Sequence, residues 1–219
     1  MSSGGVLNGR DNLRATLVGE VIESTSTDFT AQACELDSAP PFGAFVQVST
    51  SEDDLTLYGI VAQVQTAGID PGARPVMRGH GNVRDDLIYR ENPDLPLVLR
   101  TTFRALVVGF ESGGVCRQFL PPRPPRLHYS VFISTPADVR RFIEAGFDYL
   151  SAVLTAVNAP VDELLAANFR LTAAQQRDPE RFTSLAGREL AQLLRTDYVR
   201  LTAILRRCLV DPCMLEVAS

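Results

Sequence analysis

Leu120-Pro121-Pro122-Arg123-Pro124-Pro125-Arg126-Leu127-His128 divides the chain into two differently patterned parts. Proline fixes φ and has no backbone N–H, so Pro121 to Pro125 is excluded from a helix and from a central strand. An extended, polyproline-like link is expected. Upstream lie short β-patterned segments separated by turn residues. Downstream, after His128-Tyr129-Ser130-Val131-Phe132-Ile133, the apolar residues recur at helical spacing.

The upstream segments read as strands. Leu13–Ile22 mixes alternation with a short apolar run, and Phe29–Cys34 alternates weakly. Phe42–Val48 follows the breaker Pro40-Pro41, and Leu55–Val64 is a longer strand with a bulge expected at Gly59. Leu97–Glu111 contains the strongest β signal, Thr101–Phe110. Ser112-Gly113-Gly114 then predicts a hairpin turn into Val115–Leu120. Short strands at this spacing predict a small barrel rather than a βαβ sheet. The segment after Pro125 is expected to add a last strand or to lie across the barrel.

Between the strands, residues 67–96 are rich in Gly, Pro, Asn and Asp, with a short helical piece expected near Asp85–Arg90. Connections of this length are often functional. The segment holds Arg74, Arg78, His80 and Arg84, with glycines around His80, and these are candidate interaction residues. Arg123 and Arg126 in the proline run complete the candidate set, since such a segment can dock in an aromatic groove. A lone His beside Asp85-Asp86 falls short of the three or four ligands of a metal site, so no metal or cofactor is expected. The acidic pairs Asp85-Asp86 and Asp53-Asp54 read as solvated, and His128 as a structural histidine.

Downstream, Thr135 is a plausible N-cap with Pro136 at the first helical position and Asp138 at the third. One helix with Phe142, Ala145, Leu150, Val153 and Leu154 on its apolar face should end before Pro160. A second should use Leu164, Leu165, Phe169 and Leu171. A third is expected from about Pro179 to Leu209, with Leu185, Leu190, Leu193, Leu194, Tyr198, Leu201, Leu205 and Leu209 as its stripe and a solvated basic side. The expected fold class is therefore α+β: a disordered stretch over residues 1–12, a β-barrel over 13–133, and a helical module of about three helices over 134–219.

Composition restricts the function. All 21 basic residues are arginine, which excludes a Schiff-base lysine, a catalytic lysine base and a phosphate-gripping lysine. Residues 1–135 carry 11 Arg against 15 acidic residues, and residues 136–219 carry 10 against 11, so neither part has the basic excess of a nucleic-acid binder. Cys34, Cys116, Cys208 and Cys213 lack CxxC spacing and read as isolated thiols of a reducing compartment. No apolar run approaches the roughly 18 residues of a membrane span. Met1-Ser2-Ser3-Gly4-Gly5 lacks the basic region and apolar core of a signal peptide, so a soluble cytoplasmic protein is expected.

In order and spacing, Val18-Gly19-Glu20-Val21-Ile22, Tyr58-Gly59-Ile60-Val61, Val107-Val108-Gly109-Phe110 and the proline-rich exit resemble the HAS-barrel. This is the N-terminal barrel of HerA-type bipolar DNA helicases and of rotary ATP synthase catalytic subunits. The resemblance covers residues 13–133 and implies a barrel that packs in a ring of six ATPase subunits or docks a partner. In those proteins a G-x-x-x-x-G-K-[ST] loop follows the exit, and this sequence contains none. The expectation is a non-enzymatic interaction module that docks to a ring ATPase or self-associates. The alternative is an accessory DNA-processing factor working with a HerA-like helicase.

Overall fold

The computed structural model describes residues 17–50, 55–70, 72 and 75–208. The expected disordered stretch 1–12, Asp53-Asp54, Arg74, Leu209 and Cys213 lie outside the described residues. Seven strands form one sheet: β1 (Leu17–Ser24), β2 (Asp28–Ala33), β3 (Phe45–Thr50), β4 (Leu55–Gly68), β5 (Leu99–Ser112), β6 (Val115–Arg117) and β7 (Ser130–Ile133). Their order is β2-β1-β7-β3-β4-β5-β6, and β2 also pairs with β5. Six strands thus close into an antiparallel barrel, and β6 hangs from β5 as a hairpin arm. The segment after the proline run does add the last strand. β7 inserts between β1 and β3 and completes the closure.

Alternation explains the interior. Val21, Phe29, Val46, Val61, Phe103 and Val107 are among the side chains that point inward and fill the barrel. On β4 and β5 the opposite face is buried as well: Tyr58, Ile60, Leu106 and Val108 point outward into a second core shared with the C-terminal helices. The unbroken apolar run 105–108 is the signature of a strand covered on both sides. The register slips opposite Gly59, as expected, although the extra residue, Val108, belongs to β5. Gly113 and Gly114, at φ 58° and 75°, form the two-residue loop of the β5–β6 hairpin, a type I′ geometry that favours glycine.

Helices α1 (Asp86–Glu91) and α2 (Leu95–Val98) interrupt the long β4–β5 connection. The C-terminal part comprises α3 (Pro136–Glu144), α4 (Tyr149–Leu154), α5 (Val161–Gln175), α6 (Pro179–Leu193) and α7 (Tyr198–Cys208). α3 begins with the expected cap. Thr135 Oγ1 accepts from the Asp138 N–H at 3.3 Å, and the Asp138 carboxylate accepts from the Thr135 N–H at 3.1 Å.

Two of the three helical stretches expected from sequence are each divided. The first breaks between Glu144 and Tyr149. Gln118, just past β6, fills the break: its amide donates to the carbonyls of Phe142 and Gly146 at 2.8 Å each, and its oxygen accepts from the Tyr149 N–H at 3.2 Å. This role takes Gln118 out of the ladder, so β6 ends at Arg117 and not at Leu120. The stretch from Pro179 breaks after Leu193, and the Asp197 side chain accepts from the Arg200 N–H at 3.0 Å at the start of α7. The break rotates the apolar stripe. Phe182, Ala186, Leu190 and Ile204 are buried, whereas Leu185, Leu193 and Tyr198 face solvent, as does Ala145 just past the end of α3. The basic side of α7 is also partly paired: Arg200 and Arg207 reach Asp162 and Glu163 in the first turn of α5, at 2.8 Å each.

The composition shift near residue 135 marks where helices begin, but packing is continuous across it. Phe45 and Tyr58 from the barrel wall meet Phe142 and Tyr149 with ring centroids 4.8 to 5.8 Å apart. Buried Asn168 on α5 donates to the Gly43 carbonyl at 3.0 Å and accepts from the Tyr149 hydroxyl at 3.2 Å. Arg104 on β5 pairs with Asp28 at 2.6 Å and donates to the Val157 and Asn158 carbonyls beyond α4 at 3.2 and 3.0 Å.

Gly43 sits at φ 89°, and a Cβ there would lie 2.8 Å from both Ala167 Cβ and the Asn168 nitrogen. Gly43→Ala is therefore expected to destabilise the whole protein by about 1–3 kcal/mol. Chemical denaturation followed by circular dichroism measures it. An unchanged midpoint would show that the barrel and helices are not clamped at this point.

Candidate protein-interaction surface

The described residues between 69 and 98 leave the barrel between β4 and β5 and bury little. Among the described residues from Pro75 to Val98, only Gly79 and Leu95 are buried. The segment nonetheless carries Ile69, Val76, Met77, Leu87, Tyr89, Leu97 and Val98 as exposed large apolar side chains. Val76, Met77 and Leu97 are 76, 73 and 77% exposed, more than a folded chain gains anything by showing to water. Isolated surface apolar residues are ordinary; a contiguous set marks a contact surface. Here Ile69, Val76, Tyr89, Leu97 and Val98 of this set, with buried Leu95, line a groove of about 610 Å³, which Met77 and Leu87 do not line.

The groove has a defined frame. Arg78 donates to Asp94 at 2.9 Å and to Asn92 Oδ1 at 3.4 Å, tying its two sides together. The Asn92 amide donates to the Ile88 carbonyl at 2.8 Å and ends α1. Tyr89 Oη donates to Asp37 at 3.4 Å, which links α1 to the turn after β2. The Ile69 N–H donates to the Val98 carbonyl at 2.9 Å, so the groove grows directly from the β4–β5 ladder.

The six candidate residues from sequence have different fates. Arg74 lies outside the described residues. Arg78 lines the groove as a brace whose charge is already paired. His80 is exposed at φ 44°, in a tight turn where the Asn82 and Val83 N–H groups donate to the Gly79 carbonyl at 2.9 and 3.1 Å. Arg84 is exposed just before α1. Neither His80 nor Arg84 lines the groove. Arg123 and Arg126 stand on the other side of β6, in the link to β7. There Pro121 and Pro125 are buried, Ser24 Oγ donates to the Pro125 carbonyl at 2.6 Å, and Arg126 lies 5.9 Å from the Tyr129 ring centre. The link is a strut anchored to the barrel at Pro121 and Pro125, with Arg123 and Arg126 both exposed. The chemistry of the 69–98 segment thus rests on apolar side chains rather than on the charged ones singled out in the sequence. Their signal was the number of large apolar residues in a turn-rich stretch.

Another cluster gathers polar groups at the barrel–helix junction. Arg141 Nη1 donates to both oxygens of Glu111 at 2.9 and 2.8 Å, and Nη2 donates to Asp138 at 3.0 Å. Tyr58 Oη also donates to Glu111 at 3.1 Å, and the Cys116 thiol donates to it at 3.6 Å. Burial, with the Cys116 thiol and Glu111 carboxylate alongside, pushes the Tyr58 hydroxyl well up. Burial and Glu111 push the Cys116 thiol up to about 11 from an ordinary 9. A nucleophilic cysteine needs the opposite shift. The cluster acts as a clamp that joins α3 to β5 and β6. His128, at φ 66°, contacts Glu20 on β1 at 2.6 Å, whereas Cys116 bonds Glu111.

Because the folded state holds the Cys116 proton more tightly than the unfolded chain, stability from this group is present below pH 9 and declines as pH climbs toward 11. Thiol-specific labelling of the native protein at pH 8 should modify exposed Cys34 well before Cys116, which should become reactive only as the pH approaches 11. Equal labelling rates at pH 8 would contradict the clamp. No family model matches this chain, and no curated protein matches it.

Proposed function

We propose that the chain is a non-enzymatic assembly protein, built on a HAS-type barrel, that docks to another protein through the apolar groove of residues 69–98. The groove carries this reading: a stable barrel would gain nothing from exposing its lining residues Val76 and Leu97 unless they were covered in use. The resemblance over residues 13–133 suggests the partner, a cytoplasmic ring ATPase of the kind whose own barrels pack side by side. The lysine-free sequence supports a non-motor role, since a standard phosphate loop needs that residue. The shape of the site also suits protein more than nucleic acid. Its lining is mainly apolar, and Arg78, the guanidinium it contains, is neutralised by Asp94. An accessory DNA-processing role would instead require binding that weakens steeply with salt. Among the described residues no helix is long and apolar enough to cross a membrane.

The test is affinity purification of the tagged chain from its native host, with mass spectrometry, beside a Val76→Asp/Leu97→Asp double variant. Both positions are exposed, so the variant should melt within about 2 °C of the parent. It should lose a ring ATPase that the parent retains. Equal recovery of that ATPase by both chains would overturn the groove as the docking site, and its absence from the parent's eluate would overturn the partner class.

A further inference from the structure

The β4–β5 ladder projects past the rest of the barrel, and one of its edges is open. On that edge β4 pairs with β3 from Leu55 to Ile60. Val61 still exchanges hydrogen bonds with Gly43 and Ala44, at 2.8 and 3.0 Å. A bulge between Val61 and Gln63 then resets the strand. Beyond it the register with β5 is continuous from Gln63 to Gly68, and the Ile69 N–H donates to the Val98 carbonyl. Antiparallel alternation therefore turns the backbone groups of Gln63, Gln65 and Ala67 toward β5 and those of Val64, Thr66 and Gly68 away from it. Among the described residues none takes up these outward groups, and Gln63, Val64, Gln65 and Thr66 are all exposed.

Proteins commonly guard such an edge with charge or proline. Gln63-Val64-Gln65-Thr66-Ala67-Gly68 contains neither. An antiparallel edge is complementary to itself about a twofold axis. An axis through Thr66 would set Val64 opposite Gly68 of the second copy, Gln65 opposite Ala67, and Thr66 opposite itself. No strand charge meets its like, and Gly68 leaves room for the branched Val64 side chain. The neighbouring carboxylate, Asp37, is held by Thr66 Oγ1 at 2.9 Å and, through its own N–H, by Thr101 Oγ1 at 2.8 Å.

We propose that a second copy of this chain pairs here, β4 against β4 across a twofold axis, joining two barrels into one continuous sheet. This deepens the assembly reading and rests on it only in taking this end of the barrel as a contact surface. The pairing would close about six backbone hydrogen bonds. It would also set exposed Val64 over Gly68 of the other copy on one face and exposed Ile69 beside its Gln63 on the other. So short an interface belongs to the weak, concentration-dependent class.

Sedimentation velocity on the full chain from low micromolar to sub-millimolar concentration tests it. The parent should shift from monomer to dimer. Val64→Pro removes an outward N–H without touching the β4–β5 ladder and should weaken dimerisation at least tenfold, whereas Val64→Thr keeps the N–H and should leave it unchanged. Should Val64→Pro fail to fold, hydrogen exchange on the parent decides. Amides at Val64, Thr66 and Gly68 should become more protected as concentration rises, and protection independent of concentration would overturn the pairing. A parent that stays monomeric throughout, or a folded Val64→Pro that dimerises like the parent, would also overturn it. Neither result touches docking at the groove, which the Val76→Asp/Leu97→Asp comparison tests separately.

Discussion

The structure depends on one shared wall. β4 from Leu57 to Ala62 and β5 from Ala105 to Phe110 are buried on both faces, with Val61 and Val107 in the barrel and Ile60 and Val108 under the helices. The aromatic seam of Phe45, Tyr58, Phe142 and Tyr149 fills the space between wall and helices. Tilted and edge-on ring pairs of this kind add about 0.5–1.5 kcal/mol each beyond area burial. Without the helices, the outward faces of Tyr58, Ile60 and Val108 would be open to water. The helical part is therefore a structural layer of the barrel, and the proline run is the strut that carries the chain along the barrel from β6 to β7.

The polar contacts at this junction satisfy what the packing leaves open. Gln118 serves the last carbonyls of α3 and the first amide of α4, so a helix break that would strand buried polar groups is stabilised from a distant segment. Asn168 does the same for the Gly43 carbonyl. The Glu111–Arg141 pair closes the rim of the seam. These groups make hydrogen bonds that look like site chemistry in isolation, but their geometry uses them to hold layers together.

The barrel was largely legible in the sequence because strand alternation and turn residues are local signals. Thr135-Pro136 with Asp138 was legible for the same reason. Closure by β7 was not, since its neighbours β1 and β3 lie far away in sequence. The helix break at 145–148 was hidden because its hydrogen-bonding partner is Gln118. The break after Leu193 was signalled only by Asp197, a single capping residue inside an otherwise sustained leucine pattern. In the 67–96 connection the charged residues Arg74, Arg78, His80 and Arg84 are the ones the sequence marks as interaction candidates. The groove is built instead from Val76, Tyr89, Leu97 and Val98, whose spacing follows neither the helical nor the strand period because they converge through a turn and two short helices.

Two regimes of stability coexist in this arrangement: a doubly packed wall, and a groove segment with almost no buried side chains of its own. Native-state hydrogen exchange across the full chain separates them most directly. The account predicts that amides of β4 from Leu57 to Val61, β5 from Ala105 to Phe110, and α5 exchange last and with a common opening free energy, while those from Pro75 to Val98 exchange far earlier. Helices that open well before the wall, or a 75–98 segment protected as strongly as β5, would contradict it.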